Sequence, residues 1–172
     1  MGFAESIRTC FSKYFTFSGR AARPEFWWFV LFIFVSNIVL TLFDEQFFGL
    51  PGQNFLTGSP LSGLFSLVVF FPMLAVAWRR LHDTGRPGWL AILPIALNIL
   101  AIVGVFSGIV LFATMHQQGG DEDQLRSLAA ILGVNGILLV FAAQFVMTVL
   151  LIWWCSRPGE PGVNAWGAPP LR

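Results

Sequence analysis

Apolar residues run uninterrupted by charge through four stretches of this chain. The first is about Phe26–Phe43, FWWFVLFIFVSNIVLTLF, and the second about Leu61–Trp78, LSGLFSLVVFFPMLAVAW. The third runs from about Trp89 to Met115 and the fourth from about Leu128 to Trp154. A bilayer core about 30 Å thick is crossed by roughly 20 apolar residues in a helix. The first two stretches are near the short limit, and the last two are long enough to tilt or to extend past the interface. The pattern therefore predicts an all-α integral membrane protein with four transmembrane helices, arranged as two hairpins, spans one with two and three with four.

The polar segments divide the rest. In residues 1–17, Phe3, Ile7, Cys10, Phe11 and Tyr14 recur at helical spacing, with Glu5, Arg8, Thr9, Ser12 and Lys13 opposite. This predicts an N-terminal amphipathic helix that either lies in the membrane interface or packs on the bundle. Residues 18–157 form the four-span membrane domain. Residues 158–172 are a Pro/Gly-rich tail.

Composition sharpens the class. The chain of 172 residues is 56% hydrophobic and 11% charged, against about 25% charge in soluble domains. A soluble fold of this size has no interior large enough for that apolar surface. Net charge is +1, so bulk attraction to nucleic acid is not expected.

The placement of charge gives direction. Arg8, Lys13, Arg20 and Arg23 precede span one, and Arg79, Arg80 and Arg86 lie between spans two and three. Arg157 and Arg172 follow span four. The outer segment Asp44–Pro60 has no lysine or arginine, and His116–Ser127 has only Arg126. By the positive-inside rule both termini and the 79–89 loop are expected in the cytosol. Cys10 and Cys155 then face a reducing compartment where disulfides are rare, and no zinc-ligand spacing accompanies them.

The three inner segments share chemistry. They read SGRAARPEFWW, TGRPGW and SRPGEPGVNAW, each with an Arg-Pro pair followed by tryptophan. Glycine permits a turn with positive φ. Pro24 and Pro87 suit the first turn of a helix, and Pro158 discourages continuation of span four. Trp27, Trp28 and Trp89 are expected as interface anchors. The likeness is either weak internal repetition or interface chemistry recurring.

Charge is densest in RRLHDTGRPGW, residues 79–89. Arg79 and Arg80 suit the end of span two and inward topology. His82 and Asp83 need another reason. Asp83 is expected to cap its turn or to pair with Arg20 or Arg23, and Glu25 to pair with Arg79 or Arg80. Two readings stay open. One is a structural clasp, in which Glu25, His82 and Asp83 orient the arginines. The other is a site where Arg20, Arg23, Arg79, Arg80 and Arg86 grip anionic lipid headgroups or an acidic partner.

The stretches YFTFSGRAARPEFWWF, RRLHDTGRPGW and PGEPGVNAWGAPP, in that order, resemble the bacterial inner-membrane family called domain of unknown function 805. The resemblance implies a small multi-pass inner-membrane protein of undetermined activity. This chain departs from the family pattern in three places. It has Pro87 where serine is common, Ala165 where the tail usually has arginine, and an acidic GGDEDQ insertion at 119–124. The missing tail arginine weakens a ligand role for the tail.

Intramembrane polar residues are few and not ionisable: Ser36, Asn37, Ser66, Asn98, Ser107, Asn135, Gln144 and Thr148. Proton- or ion-coupled transport usually needs ionisable groups there, and no serine elbow accompanies His82 and Asp83. Neither an enzyme, a cofactor nor a metal site is expected. The amides Asn37, Asn98, Asn135 and Gln144 are expected to bond between helices, and Pro72 and Pro94 to kink spans two and three. Gly104 and Gly108 form a GxxxG pattern suited to a homo-oligomer. The expected function is accessory or regulatory, in contact with membrane lipids or an unidentified protein partner. The alternative is a subunit of an oligomeric channel or small-solute transporter.

Overall fold

The computed structural model describes residues 1–48, 60–117 and 122–170. Most of the outer loop 44–60, namely 49–59, lies outside the described residues. So do 118–121 of the outer loop 116–127, the side chain of Arg126, and Arg172. Among the described residues five α-helices follow one another: α1 Phe3–Ser12, α2 Arg23–Phe48, α3 Pro60–Asp83, α4 Leu93–Gln117 and α5 Glu122–Ser156. A short 3-10 helix, Gly88–Ile92, precedes α4. Four helical segments are long and apolar enough to cross a membrane, in α2, α3, the 3-10 helix with α4, and α5.

The helices begin and end outside the apolar runs. α2 starts at Arg23, with Pro24 in its first turn, where no backbone N–H is required. It runs on past Phe43 through Asp44 and Glu45. α3 continues five residues beyond Trp78 to take in Arg79, Arg80, His82 and Asp83. At 1.5 Å per residue these helices are roughly 39 and 36 Å long, more than the hydrocarbon core. Charge at their ends is thus compatible with apolar middles. α5 stops at Ser156, two residues before Pro158. Pro72 is buried inside α3. Pro94 does not sit mid-helix but at the second residue of α4, just after the 3-10 turn, so no interior hydrogen bond is lost there.

The chain forms two compact units. The first holds Met1–Ala91 and Trp154–Arg172. In it α2 packs on α3, and α1 packs on both. α1 joins through its apolar stripe: Cys10 is fully buried, and Phe11 meets Phe29 and Phe32 edge-on with ring centroids 5.7 and 6.2 Å apart. The core of this unit is Cys10, Ala21, Phe26, Phe29, Val76 and Cys155, ringed by Ile7, Phe11, Val30, Phe32, Ile33 and Met73.

At the other end of α2 and α3, Asp44 is fully buried. Its two carboxylate oxygens accept from the backbone N–H groups of Leu61, 3.0 Å, and Ser62, 2.9 Å. These are orphan donors of the first turn of α3, so α2 supplies the cap for its neighbour. Midway, Ser66 Oγ donates to Asn37 Oδ1 across the pair at 3.4 Å.

The second unit is Ile92–Trp153. No residue of α4 is buried. Leu93 and Leu97 of α4 share an open apolar cleft with Leu139, Ala142, Ala143, Val146 and Met147 of α5. Asn98 does not bond between helices; its amide donates to Pro94 O on its own helix at 2.8 Å. Ser107 and Thr148 likewise bond backward within their helices. Gln144 keeps its Oε1 buried without a hydrogen-bond partner among the described residues.

Candidate functional site

The buried arginines of the first unit meet at one end, called here the arginine end, with Glu25 and Asp83. Two glycine turns bring them together. Gly19, at φ +84°, and Gly85, at φ +73°, occupy the left-handed region that favours glycine. They are the glycines of the two Ser/Thr-Gly-Arg motifs. The first turn delivers Arg20 and places Ala21 N–H on Arg79 O at 3.1 Å. The second closes α3, with Thr84 N–H and Arg86 N–H both donating to Leu81 O at 3.0 Å.

Three guanidiniums are buried there: Arg20 is 6% exposed, Arg79 1% and Arg80 0%. Two buried carboxylates, Glu25 and Asp83, face them. Asp83 bridges two arginines. Its Oδ1 accepts from Arg20 Nε at 2.9 Å and Arg20 Nη2 at 2.8 Å, and its Oδ2 accepts from Arg80 Nη1. Glu25 Oε1 accepts from Arg79 Nη1 at 2.6 Å. Taking an ion pair out of water costs several kcal/mol per ion unless further hydrogen bonds offset it.

Backbone carbonyls supply those bonds. Arg80 Nε donates to Cys155 O at 2.9 Å, Nη1 to Ala21 O at 3.3 Å, and Nη2 to Arg157 O. Arg20 Nη1 donates to Gly162 O at 2.6 Å and Gly167 O at 3.3 Å, while Nη2 donates to Glu160 O. The tail is thereby folded onto the arginines. It is further held by Glu160 N–H on Asp83 O at 2.8 Å and by Asn164 Nδ2 on His82 O at 3.0 Å. The Trp166 ring stacks on His82, centroids 4.7 Å apart. The His82 Nδ1 lies 3.1 Å from Gly19 O, so one imidazole touches all three inner segments. Gly159 is required by close approach: a Cβ there would come within 1.9 Å of Asp83 Oδ2.

The alternatives left open by the sequence separate cleanly. Asp83 pairs with Arg20 and Arg80, and Glu25 pairs with Arg79. Arg23, expected beside them, is exposed. Arg86 is half-buried; it donates to Thr84 O at 3.0 Å, and its guanidinium lies 5.1 Å from the Trp154 ring centroid. Arg20 and Arg80, considered as headgroup ligands, give every side-chain nitrogen to a protein acceptor, Arg20 to Asp83 and carbonyls of the tail, Arg80 to Asp83 and the carbonyls of Ala21, Cys155 and Arg157. Trp27, Trp28 and Trp89 are exposed at 37, 38 and 52%. Sequence reasoning missed the tail's part. Carbonyl acceptors carry no residue signature, although PGEPG marks backbone able to approach closely.

Beneath the ion pairs lies Cys10, whose thiol burial pushes up to about 12, with the nearby Glu25 carboxylate adding to the shift. It is a neutral, inert group at ordinary pH.

Four membrane-length apolar helices, with one end of the first two closed by buried ion pairs, define a multi-pass helical membrane protein. Comparison with known proteins places it further. The chain belongs to the family described as Protein of unknown function (DUF805), which matches residues 14–126. It is similar to Inner membrane protein YhaH of Escherichia coli, 40% identical over 81 residues, which are 47% of this chain and 64% of that protein. It is also similar to Inner membrane protein YhaI of the same organism, 34% identical over 110 residues, 64% of this chain and 84% of YhaI. A third relative is Uncharacterized protein YiiR, 36% identical over 89 residues, 51% of this chain and 55% of YiiR. The match thus spans under two thirds of YhaH. No solved structure matches the chain. The protein is a small inner-membrane protein of a family without assigned function.

Proposed function

We propose that this protein is a non-catalytic accessory or regulatory component of the inner membrane, with its arginine end and both termini on the cytosolic side. One observation carries the reading. The buried arginines knit three separate segments into a fixed base, while Arg8, Lys13 and Arg23 stay exposed, as do Trp27 and Trp28. Cations next to interfacial tryptophans suit phosphate-bearing headgroups of anionic lipids. The base sets the geometry, and the exposed rim makes contact.

The test is native mass spectrometry of protein released from its own membranes, beside an Arg8→Gln/Lys13→Gln/Arg23→Gln variant. Retained anionic lipids that fall away in the variant support the rim as the contact surface. Equal retention in both ends the reading. An acidic protein retained in their place moves the contact from lipid to partner.

The channel reading has its own handle. Among the described residues a Cβ on Gly104 or Gly108 would meet nothing within 4 Å, which leaves room on α4 for a second copy. Ion or solute flux in proteoliposomes, abolished by Gly104→Leu, favours a channel.

A further inference from the structure

Among the three buried arginines one is not satisfied. Arg79 is 1% exposed and gives only Nη1 to Glu25. Its Nε and Nη2 are buried, and no described protein atom accepts from them. Those two nitrogens form one edge of the guanidinium, with two parallel N–H bonds. That fork matches two oxygens of a phosphate or carboxylate. A buried donor left unpaired is unfavourable, and here two occur on one charged group.

The charge balance points the same way. Three buried guanidiniums face two buried carboxylates, so the cluster holds one more positive than negative charge. Glu160, the other carboxylate beside it, is exposed, and its Oε2 accepts from Asn164. Position selects the anion. Glu25 stands one residue before the apolar run of α2, and Arg79 one residue after that of α3. Both therefore lie where hydrocarbon gives way to headgroups.

We infer that the Nε/Nη2 fork of Arg79 is a binding site for one phosphate oxyanion, supplied by the headgroup of an anionic phospholipid. This deepens the preceding reading and rests on it for the lipid contact. It adds a single buried site distinct from the exposed rim. Entry needs local opening. The side-chain bonds that tie α1 to the start of α2 are long ones, Ser6 Oγ to Pro24 O at 3.5 Å and Cys10 Sγ to Glu25 O at 3.9 Å. α1, held mainly by the apolar packing of Cys10 and Phe11, is the element whose displacement would admit the phosphate.

The experiment uses the full chain, delipidated, in the Arg8→Gln/Lys13→Gln/Arg23→Gln background that removes the rim. Phosphatidylglycerol and inorganic phosphate are titrated separately and counted by native mass spectrometry. One phosphatidylglycerol per chain is expected, bound at least tenfold more weakly after Arg79→Lys, which keeps the charge for Glu25 and loses the fork. Binding of inorganic phosphate alone keeps the oxyanion site and makes its source soluble. A second measurement avoids any change at Arg79. With [15N]arginine, an exchange-protected Nε signal should be dephased by 31P in proteoliposomes. No bound phosphate, undiminished binding in Arg79→Lys, or no dephasing overturns the site and leaves water in the fork. Because the rim is absent throughout, that failure is separate from failure of the rim itself.

Discussion

The two units of the molecule differ in what they bury. In the first, a cluster of charge is turned inward: Arg79, Arg80, Asp83 and Glu25 lie as deep as Phe29 and Val76. In the second, α4 turns its apolar side chains outward, and none of its residues is buried. Ile102 and Phe106 are each 69% exposed. In a membrane protein both arrangements are consistent. Hydrocarbon covers apolar surface as well as a protein core does, so side chains facing it need no partner. Charged groups at the membrane boundary do need one, so the chain's own tertiary contacts concentrate where charge is. The first unit is held by its polar contacts and the second is covered by its surroundings.

Substitutions in the two units should therefore differ sharply. The largest effect is expected for Asp83→Ala, which strands Arg20 and Arg80 as buried unpaired cations. Breaking such a pair by removing one partner costs about 3–5 kcal/mol. Thermal unfolding in detergent should show a lower Tm and a tail newly open to protease. An unchanged Tm would mean that the arginine end is not what holds the first unit.

Next in size is Gly159→Ala, whose new methyl group must push Asp83 or the tail aside. Overpacking of this kind costs about 1–3 kcal/mol, and faster proteolysis within 158–170 would report it. Smaller again is the alkaline response of Cys10. Below pH 9 its thiol is protonated in both folded and unfolded chains. Between 9.0 and about 12 the unfolded chain ionises and the folded one does not. Stability should thus fall as pH rises through that interval, and Cys10→Ala should flatten the slope of Tm against pH. Asp44→Asn probes the opposite end of the same helices. It should lower Tm while leaving tail proteolysis unchanged, which separates the two ends. In the second unit, Ile102→Ala should stay within about 0.5 kcal/mol. A larger drop in Tm would show that α4 is covered by protein after all.

Much of this architecture was legible because its causes are local. Continuous apolar runs identify spans whatever surrounds them, and Pro24 and Pro158 mark a start and a stop. The pairing of Glu25 with Arg79 was readable as one of two choices, because opposite charges at one membrane depth seek each other. Other features depend on contacts made at a distance. Asp44 looks like the first loop residue after an apolar run, and only the fold shows it reaching Leu61 and Ser62, some 17 residues on. Asn98 was expected to bond between helices, but a local carbonyl on Pro94 is nearer. The tail grips through its backbone, so Glu160, Gly162 and Gly167 give no hint in their side chains. The departure at Ala165 drew attention to a lost side chain in a segment whose attachment relies mostly on carbonyl groups.

That attachment sets a clock on biosynthesis. Arg20 leaves the ribosome 142 residues ahead of Gly162, whose carbonyl it binds. At the usual 5–20 residues per second this is an interval of roughly 7 to 28 s. Its carboxylate partner Asp83 arrives 63 residues after it, so the ion pair can form before the carbonyls exist. During the remaining interval Arg20 and Arg80 share one carboxylate with most of their donors unfilled. The half-made protein then carries buried-to-be donors without acceptors at this end, and the arrival of the tail is the step that seals it.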